Sequence, residues 1–410
     1  MEIVELSNGL KVVLVPCEAE SVAFGLFVAS GSCHEQPKEA GISHFIEHML
    51  FKGTPMRSAL DISKSIEGRG GMFNAWTSEE STAFYAHLPY EYLDEAVDIL
   101  SDMFLHASMN REEFEREKLV VLEEIRMYED DPDSVVLENL QSVLFAGSTL
   151  SSPIAGSAET LLKMRPADLK RYMRGHYLPS RTIAVVAGRF ERDAAVKAVS
   201  SRLGRFRAKG AKMQAVDISA LEPVKNEVVK TKDVQQTRIA IGYRTFGRND
   251  RRKYAATVFD AILGRGMSSR LFQQVREKKG LSYDVSSRMQ FLADAGMWIV
   301  SMGVDPAKEK AALSTVDREL ERIRTRRVGK EELARTKEFL VGNFRLSHER
   351  VIAKLHFYGQ TMLSFGKLIS PEEQIRGILD VTADDILQVA NEILNPSMRC
   401  VSRVVGGNLV

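Results

Sequence analysis

The sequence predicts an α/β protein made of two homologous halves, each a mostly antiparallel sheet flanked by helices, which together enclose a cleft. Short β-prone runs alternate with long amphipathic helical patterns along the chain. The elements of the first half recur in a similar order in the second half. Two segments align at an offset of 217 residues, because each has a helix, a Pro-Ser turn at Pro179 or Pro396, and a terminal strand. These observations indicate an internal duplication.

Composition and charge place the chain among ordinary globular proteins with more than one domain. It has 410 residues, of which 44% are hydrophobic and 27% are charged. The net charge of +1 gives no electrostatic reason to expect binding to nucleic acid or to a membrane surface. The sequence shows neither a signal peptide nor an apolar run long enough to span a membrane. Three widely spaced cysteines indicate a reducing compartment, so we expect a cytoplasmic protein.

The first half is predicted to begin with a hairpin, because Asn8-Gly9 is a strong turn signal between two β-prone runs. Its predicted strands are Ile3–Leu6, Leu10–Val15, Ser21–Ser30, Phe73–Thr77, Thr82–Leu88 and Thr182–Val186. Its predicted helices are Gly41–Phe51, Ser58–Glu67, Tyr90–His106, Arg111–Tyr128, a stretch ending near Phe145, Pro166–Tyr177 and Ala194–Leu203.

The second half repeats this pattern after a polar stretch around Lys209-Gly210-Ala211-Lys212. We predict an N-terminal half at residues 1–208, a linker at 209–222 and a C-terminal half at 223–410. The predicted strands are Glu227–Val229, Arg238–Tyr243, Tyr283–Gln290, Met297–Val304 and Arg399–Val405. The predicted helices are Arg252–Leu263, Ser268–Lys278, long patterns from Pro306 to about Phe365, and Ala383–Ile393.

The segment Gly41–Phe51 predicts a buried helix with polar residues on one face. At 3.6 residues per turn, His44 and His48 lie one above the other, and Glu47 stays within reach of them. Burying two imidazoles and a carboxylate is costly unless they are paired, and a zinc ion would pair them. Their order, His-x-x-Glu-His, is the inverzincin pattern, in which the carboxylate accepts a proton from water at the metal. The alternative is a core helix with incidental histidines.

A third protein ligand has to come from another segment. The best source is the acidic helix Glu115–Ile125, which has one apolar side. Glu117 and Glu124 are two turns apart on nearly one face, whereas Glu123 points about 100° away from Glu124. The alternative is that these are solvated carboxylates on an exposed helix.

The metal motif, followed 76 residues after His48 by Glu124, resembles the insulinase–pitrilysin family of zinc peptidases over nearly the whole chain. Within that family it is most similar to the mitochondrial processing peptidase type and its small bacterial relatives. The resemblance implies one zinc ion per chain, held by His44, His48 and Glu124. It also implies that Glu47 is the general base and that Glu117 supports the site.

Two further segments carry the same resemblance. Phe73–Glu79 resembles the family's active-site edge strand, and implies that Asn74 and Ala75 pair with an extended substrate backbone. Leu271–Tyr283 resembles the segment that provides an arginine and a tyrosine across the cleft, here Arg276 for a substrate carbonyl and Tyr283 for the oxyanion. The alternatives are a plain edge strand, a surface arginine and an ordinary strand tyrosine. Trp76 and Ser81 depart from the family pattern and leave the side-chain preference open, and Arg265 interrupts a segment that is usually glycine-rich in the family.

The expected function is therefore a zinc-dependent endopeptidase for short or unfolded peptides, bound in extended form inside a closed chamber. The offset of 217 places Ala261, Gly264 and Arg265 opposite the three motif residues, so the second half lacks the metal set. Since one chain carries both the zinc set and the Arg/Tyr pair, a symmetric homodimer suffices to close the chamber. The alternatives are a processing peptidase for one precursor, a catalytically silent structural subunit of the kind found in respiratory complexes, a hydrolase for a non-peptide substrate, and a heterodimer.

Overall fold

The structure of the chain is a computed structural model. The structure describes residues 1–208, 210 and 227–407. Apart from Gly210, the predicted linker at 209–222 lies outside these residues, so its boundaries stay a prediction. Among the described residues, no helix has both the length and the apolar character that crossing a membrane requires.

The first sheet has six strands in the spatial order β1-β2-β6-β3-β5-β4. Only β2 and β6 pair in parallel, and β4 forms one edge of the sheet. The predicted hairpin joins β1 and β2 and turns at Gly9, whose φ of +84° suits glycine. The strands are β1 Glu2–Glu5, β2 Lys11–Pro16, β3 Ser21–Val28, β4 Met72–Thr77, β5 Thr82–Pro89 and β6 Thr182–Gly188.

Helices of the first half follow the predicted order, with one addition. The short helix Ala158–Lys163 lies in a stretch that the sequence predicted as a loop, and it is capped by the side chain of Ser157. The helices are α1 Ile42–Leu50, α2 Ala59–Glu67, α3 Leu93–His106, α4 Arg111–Asp130, α5 Pro132–Leu144, α6 Ala158–Lys163, α7 Pro166–His176 and α8 Arg192–Leu203.

The second sheet has five strands in the order β7-β11-β8-β10-β9. This matches the order β2-β6-β3-β5-β4 of the first sheet strand for strand, and the parallel pair β7 and β11 corresponds to the parallel pair β2 and β6. The prediction of two homologous α/β halves with mostly antiparallel sheets is confirmed. The strands are β7 Glu227–Lys232, β8 Thr237–Thr245, β9 Ser282–Phe291, β10 Gly296–Val304 and β11 Cys400–Gly406.

Helices of the second half also correspond to those of the first. The offset of 217 maps α7 onto α14 at both ends and β6 onto β11 to within one residue. The long helical pattern from Pro306 forms three separate helices, and an additional helix, α13, begins at Pro371 behind the capping side chain of Ser370. The helices are α9 Lys253–Gly264, a π-helical turn Phe272–Glu277, α10 Glu309–Thr325, α11 Lys330–His348, α12 Val351–Phe365, α13 Pro371–Leu379 and α14 Ala383–Ile393.

The described residues form two compact units. Each unit contains one helix from the other half of the sequence: α12 belongs to the first unit and α5 to the second. α12 packs on β3 and β6 in the first unit, whereas α5 packs on β8 and β11 in the second. The units are Met1–Ile125, Ser152–Gln214 and Arg345–Ile369 on one side, and Arg126–Ser151, Ala215–Phe344 and Ser370–Val410 on the other, counted over their described residues. The predicted division at residues 208 and 223 concerns the repeated halves and stays a prediction.

A glycine in each sheet allows these helices to approach closely. A Cβ at Gly242 in β8 would lie 2.8 Å from Leu140 of α5. A Cβ at Gly25 in β3 would lie 3.3 Å from Leu355 of α12. Gly25 and Gly242 are themselves aligned at the offset of 217. The same close packing of helix on sheet is therefore present in both units.

Candidate metal centre and active site

The helix α1 is fixed at its first turn by a buried carboxylate. Glu35, which is 5% exposed, accepts hydrogen bonds from the backbone N–H groups of Gly41 (2.7 Å) and Ser43 (2.8 Å). These are donors that the start of a helix leaves without intrahelical partners. Burial raises the pKa of Glu35 to about 7, although the bonds from Ser43 and Gly41 act in the opposite direction. Since Ser43 precedes His44, Glu35 anchors the turn that presents the first histidine.

Gly41 is required at this point of the backbone. Its φ is +92°, and a Cβ there would lie 2.4 Å from the carbonyl oxygen of Ala155. A side chain at this position would therefore strain the backbone of Gly41 and also clash with the backbone at Ala155. Together with Glu35, this glycine determines where α1 begins.

Three predicted ligands converge between α1 and α4. Ligand atoms of His44, His48 and Glu124 all lie within 4.8 Å of one another, and no other group of this kind occurs among the described residues. The Nε2 atoms of His44 and His48 lie 3.7 and 3.3 Å from the two carboxylate oxygens of Glu124. Ligands about 2.0–2.2 Å from a tetrahedral zinc ion are separated by roughly 3.3–3.6 Å. The donor set fits zinc, and the two separations lie at the lower end of this range and just above it.

The two histidines have opposite electrostatic environments. Burial lowers the pKa of His44 to about 4, and the neighbouring His48 adds to this effect. Burial also opposes the charged form of His48, but hydrogen bonds with Glu117 and Glu124 outweigh it and raise its pKa to about 9. In the metal-free protein, His44 is neutral near pH 7 and His48 carries a proton.

Glu117 holds His48 from the side opposite Glu124. The Nδ1 atom of His48 donates to Glu117 Oε1 at 2.9 Å, which leaves Nε2 directed at Glu124. The Nζ of Lys52 lies 2.6 Å from Glu117 Oε2. Burial opposes ionisation of Glu117, but His48 and Lys52 outweigh it and lower the pKa of this carboxyl. A carboxylate bonded to the second nitrogen of a metal-binding histidine fixes both its tautomer and its ring orientation.

The predicted base, Glu47, is held by a strand residue that the sequence analysis did not identify as part of the site. The hydroxyl of Thr77 donates to Glu47 Oε2. Burial raises the pKa of Glu47, whereas the bond from Thr77 and the charge of His48 act to lower it. Glu123, in contrast, is exposed on α4 and is not part of the metal-binding cluster.

The strand β4 presents its outer edge beside these residues. It pairs with β5 on one side only, and Asn74 on it is exposed. The N–H of Ala75 donates to the side-chain oxygen of Asn74 at 2.8 Å. A peptide carbonyl could take the place of this oxygen, so the strand has a main-chain donor that can pair with an added strand.

Arg276 and Tyr283 lie together in the second unit. The Arg276 guanidinium is stacked over the Tyr283 ring and over the Phe272 ring, at 4.7 Å from each centroid. Tyr283 on β9 is 76% exposed. The structure therefore brings the predicted arginine and tyrosine into contact with each other, while their role toward a substrate stays a prediction.

In the second half, a different network lies where α9 packs on its sheet. Asp260, which is fully buried, accepts hydrogen bonds from Ser287 Oγ (2.6 Å) and Trp298 Nε1 (2.9 Å). Its other oxygen pairs with Arg265, the residue aligned with His48. The guanidinium of Arg265 is thus the cation beside the buried carboxylate of Asp260.

The fold and the site define a class: a protein of two similar α/β halves, the first with an inverzincin-type cluster. Comparison with known proteins agrees with this class. The sequence model described as "Insulinase (Peptidase family M16)" matches residues 11–158, and the one described as "Peptidase M16 inactive domain" matches residues 163–340. The chain belongs to peptidase family M16, which confirms the resemblance found in the sequence.

Individual relatives match nearly the whole chain. A Bacillus subtilis protein named "Uncharacterized zinc protease YmxG" is 34% identical and covers 98% of both chains. A solved structure of a protease from Helicobacter pylori has a TM-score of 0.89 at 22% identity, again over 98% of both chains. A chain of "Complex III2 from Candida albicans" has a TM-score of 0.85 at 20% identity, over 99% of this chain and 95% of that one. The last two show the fold alone.

Proposed function

We propose that this protein is a zinc-dependent endopeptidase that holds one zinc ion per chain on His44, His48 and Glu124. The observation that carries the proposal is the convergence of these three side chains, with the carboxylate of Glu47 one turn from His44 on the same helix. Relatives of this chain are named as zinc proteases, which supports both zinc as the metal and peptide hydrolysis as the reaction. The relation to a "Complex III2" chain rests on fold alone, and the complete ligand set favours an active enzyme over a silent structural subunit.

Each side chain of the cluster has a part in peptide hydrolysis. Zinc, when bound, supplies Lewis acidity that promotes the ionisation of water and stabilises charge on a carbonyl oxygen. Glu47 accepts the proton of the attacking water and transfers it to the leaving amine. Burial, which raises the pKa of Glu47, favours its holding that proton between the two transfers. Glu117, supported by Lys52, keeps the ring of His48 in place.

The proposed substrate is a short or unfolded peptide in extended form. It adds to β4 as a further strand, with Asn74 and Ala75 as its partners. Pairing through the main chain tolerates many side chains, which favours a general peptidase over a processing enzyme for a single precursor. Arg276 is proposed to hold a substrate carbonyl and Tyr283 to stabilise the oxyanion.

We also propose that two copies form a symmetric homodimer that encloses the sites in a chamber. Because one sequence contains both the zinc set and the Arg/Tyr pair, identical chains suffice. Light scattering gives the mass in solution, and a short peptide is compared with a folded protein that contains the same cleavage sequence. A monomer that digests the folded protein efficiently would contradict both the dimer and the chamber.

The central test combines a mixed peptide library with metal analysis. The wild-type protein is expected to cleave the library with bound zinc and to stop when a chelator is added. Glu47→Gln should retain zinc and lose about 10²- to 10⁴-fold in activity, since it removes only the base. Glu124→Gln should lose zinc, whereas the matched control Glu123→Gln on the same helix should keep zinc and activity. A Glu47→Gln protein that cleaves normally, or that has lost its metal, would refute the assigned roles.

A further inference from the structure

The end of the edge strand β4 is bonded directly to the proposed base. Thr77 is the last residue of β4, and its hydroxyl donates to Glu47 Oε2 on α1. Asn74 and Ala75, the proposed partners of the substrate backbone, precede it on the same strand. We propose that Thr77 is a positioning residue that holds the carboxylate of Glu47 in the orientation required for proton transfer. This inference rests on the proposed function and adds to it a residue that connects substrate binding to the base.

The alternation of side chains along β4 places Thr77 correctly for this role. Successive side chains of a strand point to opposite faces, so Phe73, Ala75 and Thr77 share one face. That face packs against α1 and against Phe51, the residue after α1: the ring centroids of Phe73 and Phe51 lie 5.4 Å apart. The packing of β4 against α1 therefore also directs the side chain of Thr77 toward α1.

One short loop anchors both partners of this contact. The N–H groups of Ser32 and Cys33 donate to the carbonyl oxygens of Ser78 (3.1 Å) and Glu79 (2.8 Å), directly after Thr77. Glu35 in the same loop accepts from the first turn of α1. The end of β4 and the beginning of the metal helix are therefore both tied to residues 32–35. The bond between Thr77 and Glu47 joins two elements whose separation is already fixed.

The chemistry of a hydroxyl suits this position. With Glu47 Oε2 bonded to Thr77, the other carboxylate oxygen remains for the water and the leaving amine. A hydroxyl both donates and accepts, so it can stay bonded to Glu47 before and after that group has taken up a proton. Valine has nearly the same shape as threonine but can do neither. Removing the hydroxyl should therefore lower turnover more than it changes substrate binding.

The test compares Thr77→Val with Thr77→Ser in the full-length protein. We expect Thr77→Val to lower kcat by about 10- to 100-fold, part of the contribution of general-base catalysis, with KM within about 2-fold of wild type. Thr77→Ser, which keeps the hydroxyl, should stay within about 3-fold in kcat. Both variants should bind as much zinc as wild type by elemental analysis. Thr231→Val, at an exposed threonine of β7, is the matched control and should be unchanged.

A second measurement does not depend on activity. Crystal structures of the zinc-free variants should show the Glu47 carboxylate in its wild-type orientation in Thr77→Ser and turned away from it in Thr77→Val. Equal damage in Thr77→Val and Thr77→Ser, or loss of zinc from Thr77→Val, would overturn the positioning role in favour of a structural one. Full kcat in Thr77→Val, beside a wild type whose cleavage a chelator stops, would overturn this inference alone. A wild type with no chelator-sensitive cleavage would overturn the proposed function and this inference with it.

Discussion

Zinc binding near neutral pH should displace a proton from His48. The pKa of His48 in the metal-free protein is about 9, because two carboxylates outweigh the effect of burial, whereas burial holds the pKa of His44 at about 4. At pH 7, about 99% of His48 is then protonated, while His44 is neutral. Since zinc binds a neutral imidazole, about one proton must leave His48 for each ion that binds.

The size of this effect follows from the two pH units between neutrality and the pKa of His48. Removing the proton at pH 7 costs about 2.7 kcal/mol, which weakens the apparent zinc affinity about 100-fold relative to pH above 9. The apparent affinity should therefore rise about tenfold per pH unit between pH 7 and 9 and level off above that range. Protonated His48 is the form that the carboxylates of Glu117 and Glu124 stabilise, so the sign of the effect is fixed by their charge.

Isothermal titration calorimetry in buffers of different ionisation enthalpy measures the protons released. Glu117→Gln is the matched comparison, because it keeps the shape of the side chain and removes one of the two charges beside His48. Proton release at pH 7 should fall below that of wild type, since the pKa of His48 moves toward its ordinary value of about 6.5. Any proton lost by water at the metal is common to both proteins and cancels in the difference. Equal release from both proteins, or an apparent affinity that does not change between pH 7 and 9, would refute this assignment of charge.

Two further predictions concern residues that support the site. Lys52→Met removes the cation that holds Glu117 in place and helps to keep it ionised, so Glu117 should fix the ring of His48 less firmly and zinc binding should weaken by about 3- to 10-fold, less than on loss of Glu117 itself. Competition with a fluorescent chelator measures this, and unchanged or tighter binding would show that Lys52 does not support the metal site through Glu117. Glu35→Ala leaves the N–H groups of Gly41 and Ser43 without their acceptor, and should lower the free energy of unfolding by about 2–5 kcal/mol in urea titrations. A loss of less than about 1 kcal/mol would mean that water replaces the carboxylate there.

The contacts that the sequence could predict are those set by a local period. A helical repeat places His44 and His48 on one face whatever the rest of the chain does, and the structure shows them with ring centroids 4.7 Å apart. The approach of Glu124 to that face depends on how α4 crosses α1, which no local pattern specifies. The sequence led to Glu124 only through its resemblance to a family, and the geometry agrees with that choice.

The supporting residues could not be predicted because each acts across elements that are separated in the chain. Thr77 reaches Glu47 only because the β4–β5 hairpin lies against α1, and Lys52 reaches Glu117 across 65 residues of sequence. For a related reason, the sequence could not predict which sheets α5 and α12 pack against. An amphipathic pattern predicts that a helix is buried on one side, but it does not say which sheet covers that side. The alignment of Gly25 with Gly242 was the signal in the sequence that could have indicated two equivalent helix contacts.

The two halves place different cations beside carboxylates at aligned positions. In the second half, Asp260 is buried and Arg265 supplies the compensating charge from within the chain. In the first half, the aligned position is His48, and three carboxylates lie around it, two of them in contact with its ring: Glu47, Glu117 and Glu124. Lys52 pairs with Glu117, and the ring of His48 lies between Glu117 and Glu124.

We propose that the cation beside these carboxylates is zinc when the metal is bound and the proton of His48 when it is not. On this proposal, the carboxylates of Glu117 and Glu124 that raise the pKa of His48 also favour the bound zinc ion. An arginine at position 48 would be expected to satisfy the same carboxylates permanently, as Arg265 does for Asp260. His48→Arg should then abolish zinc binding while the protein keeps its fold, and circular dichroism with elemental analysis would show both. Unfolding of this variant would show that the two halves do not bury charge by equivalent means.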